Sequence, residues 1–259
     1  MSATGQDATV QSMAAQQQVG FAASLGRKPG VPAPVLRYVE RTGACLDALP
    51  AWVRLTQVGE MWQRPGGRTL RFTAEQLLAV DQVAFTWRAR FPLLGPVSLR
   101  VEDRVVSGHG LLDAHVLGHV RVLHARGPDT DEGEAMRYLA ELPWVPQAML
   151  ANPQLAWRTL GGSTVEVATR IGPARVAVRL ELDAEGDIVR ASAERPRLEG
   201  AGSVRCPWAS VFQDYALVGG VRLPTRAEAR WELPEGPFTY WRGTIRSFEA
   251  VDAPSAVAA

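Results

Sequence analysis

An alternation of apolar and polar residues with a period of two recurs along this chain and constrains its fold more than any other feature. The stretch VAFTWRARF shows it clearly, with Val83, Phe85, Trp87, Ala89 and Phe91 at every second position. A strand with one buried face has this pattern. The chain is therefore predicted to be mainly β.

The same period returns in segments separated by short turns. They are TVEVATRI, ARVAVRLEL, VRLPTRAEARWEL, AWVRLTQVGEMW, PVSLRVEDRVV, LLDAHVLG and FTYWRGTIRSFEAV. The turns RPGGR, IGPA, DAEGD, VGG and LPEGP have the composition and length of hairpin loops. Roughly ten strands joined in this way predict one large antiparallel sheet.

Two helical segments accompany the β pattern, one before the sheet and one inserted midway. The first is VPAPVLRYVERTG, with Pro32 and Pro34 in its first turn and Gly43 at its exit. The second lies midway along the chain, where Asp131 and Glu134 resemble a capping box. Met136, Leu139 and Leu142 form its apolar stripe, and Pro143 ends it. A further short helix is predicted to begin at Pro146.

A sheet of this size twists, and its apolar face must be covered or rolled on itself. The predicted fold class is therefore mainly β with a few helices: a large curved antiparallel sheet, or half-open β-barrel, with helices plugging its concave face. We expect a single domain over residues 31–250, a flexible N-terminal segment over 1–30 and a flexible tail over 251–259.

Composition and charge exclude several classes of function. With 28 Lys and Arg against 27 Asp and Glu, the net charge of +1 gives no field to attract nucleic acid. No apolar run is long enough for a transmembrane segment, and the N-terminus lacks the features of a secretory signal. Cys45 and Cys206 have no metal-binding spacing and are predicted to be free thiols. These observations predict a cytoplasmic protein.

The break in ELPWVPQAML sets Trp144 between two prolines, which suits either a packing joint or the wall of a ligand pocket. If the helices plug the hollow of the sheet, Trp144 and Met149 point into it. Large rings and an adaptable methionine are common in apolar cavities, although simple packing uses the same residues. The predicted ligand-binding residues are Phe85, Trp87, Tyr138, Leu142, Trp144, Met149, Trp231 and Trp241.

Polar residues on the second helix are the candidates for chemistry. Glu134, Arg137, Tyr138 and Glu141 share one helical face. In one interpretation Glu141 is a buried general base and Tyr138 orients a substrate; in the other the face is a solvated stripe of Glu–Arg pairs, which we favour. His115 is a further candidate for an enzymatic group.

Four histidines lie close together in one segment, His109, His115, His119 and His124. On a strand they point away from the apolar face, and a hairpin near Gly118 would bring two of them together. Two imidazoles with Asp113 would suit a zinc ion there, but the spacing matches no zinc motif. The sequence contains no GxSxG motif of nucleophilic hydrolases, no P-loop for nucleotide triphosphates and no GxGxxG motif for dinucleotides. We therefore predict neither a metal nor a cofactor.

Several stretches resemble an uncharacterised bacterial family that is common in actinobacteria, the domain of unknown function DUF6544. They are PAPVLRYVER, GEMWQRPGGRTLRFTAEQ, RGPDTDEGEAMRYLAELPWVPQAML and FQDYALVGGVRLPTRAEARWELPEGPFTYWRGTI. The stretch DYALVGGVRLPTRAEARWEL is also similar to a hairpin of the lipoprotein-carrier (LolA-like) superfamily. That resemblance implies a half-open antiparallel barrel with an apolar cavity for acyl chains, and it supplies no catalytic residues.

The leading functional hypothesis is a protein that binds a small hydrophobic, lipid-like or amphipathic molecule in the hollow of the sheet. The alternative is a cofactor-free enzyme that performs acid/base chemistry on a hydrophobic substrate, with Glu141, Tyr138 or His115 as working groups. A third hypothesis is an interaction domain with a filled core. An enclosed apolar volume separates the first two from the third.

Overall fold

The computed structural model describes residues 30–200 and 202–252. The segments predicted to be flexible at the two ends lie almost entirely outside these residues. Within them, a single antiparallel sheet holds thirteen strands. Their bounds are β1 Trp52–Met61, β2 Leu70–Ala79, β3 Phe85–Pro92, β4 Ser98–Val106, β5 His109–Val116, β6 Val120–Ala125, β7 Ala156–Gly161, β8 Thr164–Ile171, β9 Ala174–Leu182, β10 Ile188–Glu199, β11 Gly202–Val218, β12 Val221–Leu233 and β13 Gly236–Val251.

The strand order shows how the sheet is built from two meanders. It runs β6-β5-β4-β3-β2-β1-β13-β12-β11-β10-β9-β8-β7, so each meander is sequential and β1 pairs with β13 where they meet. The two edge strands are therefore β6 and β7, which are consecutive in the chain. The segment between them must pass from one edge of the curved sheet to the other, and it carries two of the three α-helices of the described residues.

Three α-helices occur in the described part of the chain: α1 Ala33–Thr42, α2 Pro128–Ala140 and α3 Pro146–Ala151. Helix α2 crosses the concave face and packs against β4 and β5 of one meander and β8 to β10 of the other. The sheet curls around it as a half-barrel, which confirms the predicted fold class. Helix α1 packs on α3 and β12, and Gly43 ends it with φ +66° as expected.

The predicted number of strands was too low. Strands β10 and β11 were not recognised, because Pro196 and Pro207 lie inside them. A proline within a segment argues against its assignment as a central strand. In β2 the period of two holds only as far as Ala74, because Gln76 takes the next inward position and Leu77 and Leu78 are buried on opposite faces.

The predicted start of α2 was also wrong. The helix begins at Pro128, and its N-cap residue Gly127 makes no side-chain hydrogen bond. Proline suits the first position because its missing N–H would have no helical partner. Asp131 does not cap the helix; its Oδ1 accepts a hydrogen bond of 2.6 Å from the backbone N–H of Gly110 on β5. Asp131, which the sequence analysis assigned to the start of the helix, instead joins the helix to the sheet.

Candidate functional site: a tryptophan-lined cavity

A cavity of about 380 Å³ lies between α2 and the concave face of the sheet. Its volume is within the range of small-molecule sites. Its wall is rich in aromatic rings, and six of the eight tryptophans in the chain line it: Trp62, Trp87, Trp144, Trp208, Trp231 and Trp241.

Trp144 reaches the cavity because the chain is broken on both sides of it. Helix α2 ends at Ala140, a single 3-10 turn covers Leu142–Trp144, and α3 begins at Pro146. The indole Nε1 donates to the carbonyl oxygen of Pro224 on β12 at 2.9 Å, and the ring lies edge-on to Phe212. The break therefore serves as a packing joint and as part of the cavity wall.

A bulge in β13 turns two consecutive aromatic residues toward the cavity. The register with β12 passes from Ala229 opposite Trp241 to Arg230 opposite Thr239, which leaves Tyr240 as the extra residue. A bulge re-aims side chains in this way. The Tyr240 ring stacks on Trp231 at 5.8 Å between centroids, and both Tyr240 and Trp241 line the cavity.

The polar residues of α2 form a buried ion network at the floor of the cavity. Arg137 pairs with Asp103 on β4 and, at 2.9 Å, with Glu141. Arg195 on β10 donates to Glu134 at 3.2 Å, and its guanidinium lies over the Trp208 ring. Glu134 and Glu141 are both buried. The interpretation of this helical face as a solvated stripe is therefore wrong, because the sheet folds over it.

Asp103 and Glu134 lie close together within this network. Asp103 Oδ1 and Glu134 Oε2 are buried, and no N–H or hydroxyl of the described residues reaches either oxygen. Two acidic groups therefore face each other in a buried site. Burial, followed by the charge of Asp103, raises the pKa of Glu134 well above its ordinary value, although Arg195 opposes the shift.

A proton on Glu134 also balances the charge of the floor. Two guanidinium groups, Arg137 and Arg195, then face two carboxylates, Asp103 and Glu141. An ionised Glu134 would add an uncompensated buried charge, which is costly. The charge balance and the burial of the site therefore both favour the uncharged form of Glu134.

Three adjacent strands contribute a chain of side-chain hydrogen bonds that ends at Glu141. Trp87 Nε1 donates to Gln57 Oε1 at 2.9 Å, and Gln57 Nε2 donates to Gln76 Oε1 at 2.6 Å. Gln76 Nε2 then donates to Glu141 Oε2. Because an indole can only donate, it sets the orientation of both amides. Arg137 occupies the other Glu141 oxygen, so Glu141 accepts hydrogen bonds at both oxygens.

The predicted ligand-binding residues divide into two groups. Trp87, Trp144, Trp231 and Trp241 line the cavity. The other four are fully buried in the core and are not part of the cavity wall: Phe85, Tyr138, Leu142 and Met149.

The three groups considered for enzymatic chemistry are not brought together. Tyr138 is buried, where its hydroxyl donates to the Ala79 carbonyl oxygen at 2.8 Å and accepts from Asn152. Glu141 lies at the cavity floor, whereas His115 lies on the outer face of the sheet with residues of a different groove. No common substrate position joins them.

The histidine segment forms the predicted hairpin, with its turn at residues 117–119. Asp113 lies 3.3 Å from His124 and 3.9 Å from His115, while His119 contacts the Leu117 carbonyl oxygen instead. Over residues 30–200 and 202–252, no group of three His, Cys, Asp or Glu side chains is arranged to hold a metal ion. Nor does this part of the chain contain a helix long and apolar enough to span a membrane.

Arg195, Trp208 and Tyr240 are among the residues that shape the cavity and that sequence reasoning missed. The first two lie in β10 and β11, whose alternation is obscured by proline. Arg195 occupies an inward position of β10 in the series Ala191, Ala193, Arg195, which is the one signal that could have identified it. Tyr240 reaches the cavity through a bulge that a strict period of two does not predict.

A protein-family model described as "Family of unknown function (DUF6544)" matches residues 24–243 of the chain. No protein with a curated description matches it significantly.

Three solved structures are similar in fold. One is a LolA superfamily protein from Nitrosomonas europaea, with 10% identity, a TM-score of 0.45 and coverage of 86% of this chain and 94% of that one. Another is a DUF1329 family protein from Desulfovibrio piger, with 10% identity, a TM-score of 0.45 and coverage of 89% and 95%. The third is a domain from Vibrio parahaemolyticus that is provisionally assigned to outer membrane lipoprotein sorting, with 7% identity, a TM-score of 0.47 and coverage of 86% and 93%.

Proposed function

This chain belongs to the family of unknown function DUF6544, and from that premise we propose that it is a binding protein for a small amphipathic molecule. The ligand occupies the cavity between α2 and the concave face of the sheet. The observation that carries the proposal is the volume of about 380 Å³ within a wall that contains six tryptophans. Protein cores are normally packed without voids of this size.

The distribution of polar groups supports an amphipathic ligand over a purely apolar one. At the floor, the side chains of Glu134, Arg137 and Glu141 are already committed to one another or to the sheet. Near the exposed end, Gln63 and Asp129 line the cavity and are open to solvent. An apolar body would contact the tryptophan rings while its polar group faces these rim residues.

Residues 31–250 form the binding unit in this proposal. The pairing of β1 with β13 supports a single domain, because it joins the beginning and the end of this range in one sheet. The cytoplasm is the compartment we favour. Cys45 and Cys206 are free thiols, as is usual where disulfides are reduced.

Two substitutions of phenylalanine for alanine test the proposal. Ala229 lines the cavity from β12, and Ala229→Phe would fill part of its volume. Ala216 on β11 is exposed and outside the cavity wall, so Ala216→Phe is a matched control. The probe is the neutral, environment-sensitive dye N-phenylnaphthylamine, and its fluorescence is titrated against each variant.

We expect the unmodified protein and Ala216→Phe to bind the dye with equal affinity, and Ala229→Phe to bind it at least about tenfold more weakly, a loss of about 1.4 kcal/mol. Trp144→Ala, which removes one ring of the wall, is expected to reduce binding as well. Circular dichroism would establish that the variants are folded. Equal dye binding by folded Ala229→Phe and Ala216→Phe would refute the cavity as the binding site.

A further inference from the structure

The outer face of the sheet carries a second concave surface, on the side opposite the tryptophan cavity. This outer groove has a volume of about 710 Å³ and is lined by residues of β1 to β5 and β13. Four arginines lie along it with two glutamates: Arg88, Arg90, Arg100, Arg246, Glu75 and Glu102. The groove is therefore positive in a protein whose total charge is nearly balanced.

Like charges face each other directly within the outer groove. Arg90 on β3 lies opposite Arg100 on β4. Directly opposed like charges destabilise a sheet. The nearby Glu102 pairs with Arg88 and Arg104 instead. Among the residues that the structure describes, no carboxylate lies within ion-pair distance of Arg90 or Arg100.

A second arginine pair in the same sheet shows how such repulsion is otherwise relieved. Arg170 on β8 lies opposite Arg175 on β9. There Glu166 accepts from Arg175 at 2.6 Å and from Arg158 at 3.0 Å. The sheet therefore supplies a carboxylate, Glu166, beside the Arg170–Arg175 pair and none beside the Arg90–Arg100 pair.

A second bulge in β13 directs another arginine to the outer groove. The register with β1 passes from Thr56 opposite Ser247 to Gln57 opposite Ile245, which leaves Arg246 as the extra residue. Arg246 is exposed and lines the groove together with Thr56. Bulges are commonly found where a side chain is re-aimed toward a functional site. Arg246 forms no ion pair with any of the described residues.

We propose that the outer groove binds a phosphate group, with Arg90 and Arg100 as its main ligands and Arg246 on the opposite wall. The planar fork of arginine matches the oxygens of phosphate with two parallel hydrogen bonds. A phosphate monoester carries close to two negative charges and three acceptor oxygens. It can therefore offset the repulsion between the two opposed guanidinium groups, which a single carboxylate would do only in part.

Inorganic phosphate is the probe for the first experiment, with binding measured by isothermal titration calorimetry at low ionic strength. Arg90→Gln/Arg100→Gln removes the main ligands. Arg170→Gln/Arg175→Gln removes the same charge from the other arginine pair and is the matched control. We expect the first double variant to bind phosphate at least about tenfold more weakly than the unmodified protein, and the control to bind unchanged. Arg246→Gln should give a smaller loss.

A second experiment distinguishes a phosphate-bearing lipid from a soluble phosphate compound. Cosedimentation is measured with phosphatidylcholine vesicles, with and without phosphatidic acid. Binding that requires phosphatidic acid and is lost in Arg90→Gln/Arg100→Gln supports a lipid headgroup, whereas phosphate binding without vesicle binding supports a soluble ligand. Undiminished phosphate and vesicle binding by this variant, or equal losses in both double variants, would overturn the proposal.

Discussion

At the scale of single residues, the contact between Asp103 and Glu134 links the cavity floor to the pH of the solution. The charged groups that face Glu134 are Asp103 on β4, Arg195 on β10 and Arg137 on its own helix. The folded protein holds the Glu134 proton more tightly than the unfolded chain does. The resulting contribution to stability is complete below the ordinary pKa of 4.5 and is lost as the pH rises through the higher folded-state pKa.

Glu134→Gln tests this protonation state. The amide keeps an oxygen acceptor for Arg195 and gives Asp103 a permanent N–H donor, so we expect the variant to be as stable as the unmodified protein at pH 5 and more stable at pH 8. Urea unfolding at the two pH values measures the difference. Glu134→Ala, which leaves Arg195 and Asp103 without this partner, is expected to lose stability at both. A Glu134→Gln variant that is clearly less stable at pH 8 would show that Glu134 is ionised.

The amide chain from Trp87 to Glu141 gives a second prediction for single residues. Gln76→Leu leaves Gln57 Nε2 and Glu141 Oε2 buried without their partner, and each orphaned polar group costs about 1–3 kcal/mol. Gln213→Leu on β11 changes an exposed glutamine and is the control. Urea unfolding should show a clear loss for Gln76→Leu only. Equal stability of the two variants would contradict the hydrogen-bond chain.

Sequence reasoning placed Glu134, Arg137 and Glu141 on one helical face, because helical spacing alone determines that. It misjudged their environment. Whether a helical face meets water or a sheet depends on the path of strands far away in sequence, and Arg195 and Asp103 lie on such strands. The candidate site was therefore predictable in its helical half and in four of its tryptophans, but not in the strand residues that pair with the helix.

At the scale of elements, helix α2 approaches β5 so closely that only glycine fits at position 110. A Cβ atom there would lie 2.7 Å from the carbonyl oxygen of Thr130, in the first turn of the helix. Neither backbone can yield easily, because Gly110 is paired in the sheet and Thr130 is in a helix. This contact positions the end of α2 that leads into the cavity.

Gly110→Ala is expected to destabilise the protein by about 1–3 kcal/mol, as overpacking usually does. In this variant, the amide exchange rates should increase more in α2 than in the sheet. Gly202 on β11 has open space around the corresponding atom, so Gly202→Ala is the control. If Gly110→Ala neither lowers stability nor alters exchange in α2, the helix has enough freedom to move away from β5.

At the scale of the whole molecule, the pairing of β1 with β13 joins the two meanders. Trp52 lies opposite Val251, so the register is set by residues at opposite ends of the described chain. These strands lie at the centre of the sheet, whereas β6 and β7 form its edges. Local openings begin where contacts are few, so the edges should open first.

Native-state hydrogen exchange tests this order of stability. Amides of β1 and β13 are expected to exchange only through global unfolding, and those of β6 and β7 through smaller openings. The dependence of the exchange rates on low concentrations of denaturant separates the two processes. Equal protection of β6 and β1 would show that the half-barrel opens as one cooperative unit, including its edges.

The sequence by itself determined the class of fold: strands with one buried face, two helical interruptions and hairpin turns are all encoded in neighbouring residues. Periodicity identifies which side chains share a face because the geometry of a strand repeats every two residues. It does not specify which distant strand lies alongside, and bulges such as those at Tyr240 and Arg246 change its phase. The tertiary structure alone decided that β1 meets β13, that Arg195 reaches Glu134 beneath the helix, and that the tryptophans surround a cavity. Those outcomes depend on contacts between segments that are far apart in the chain.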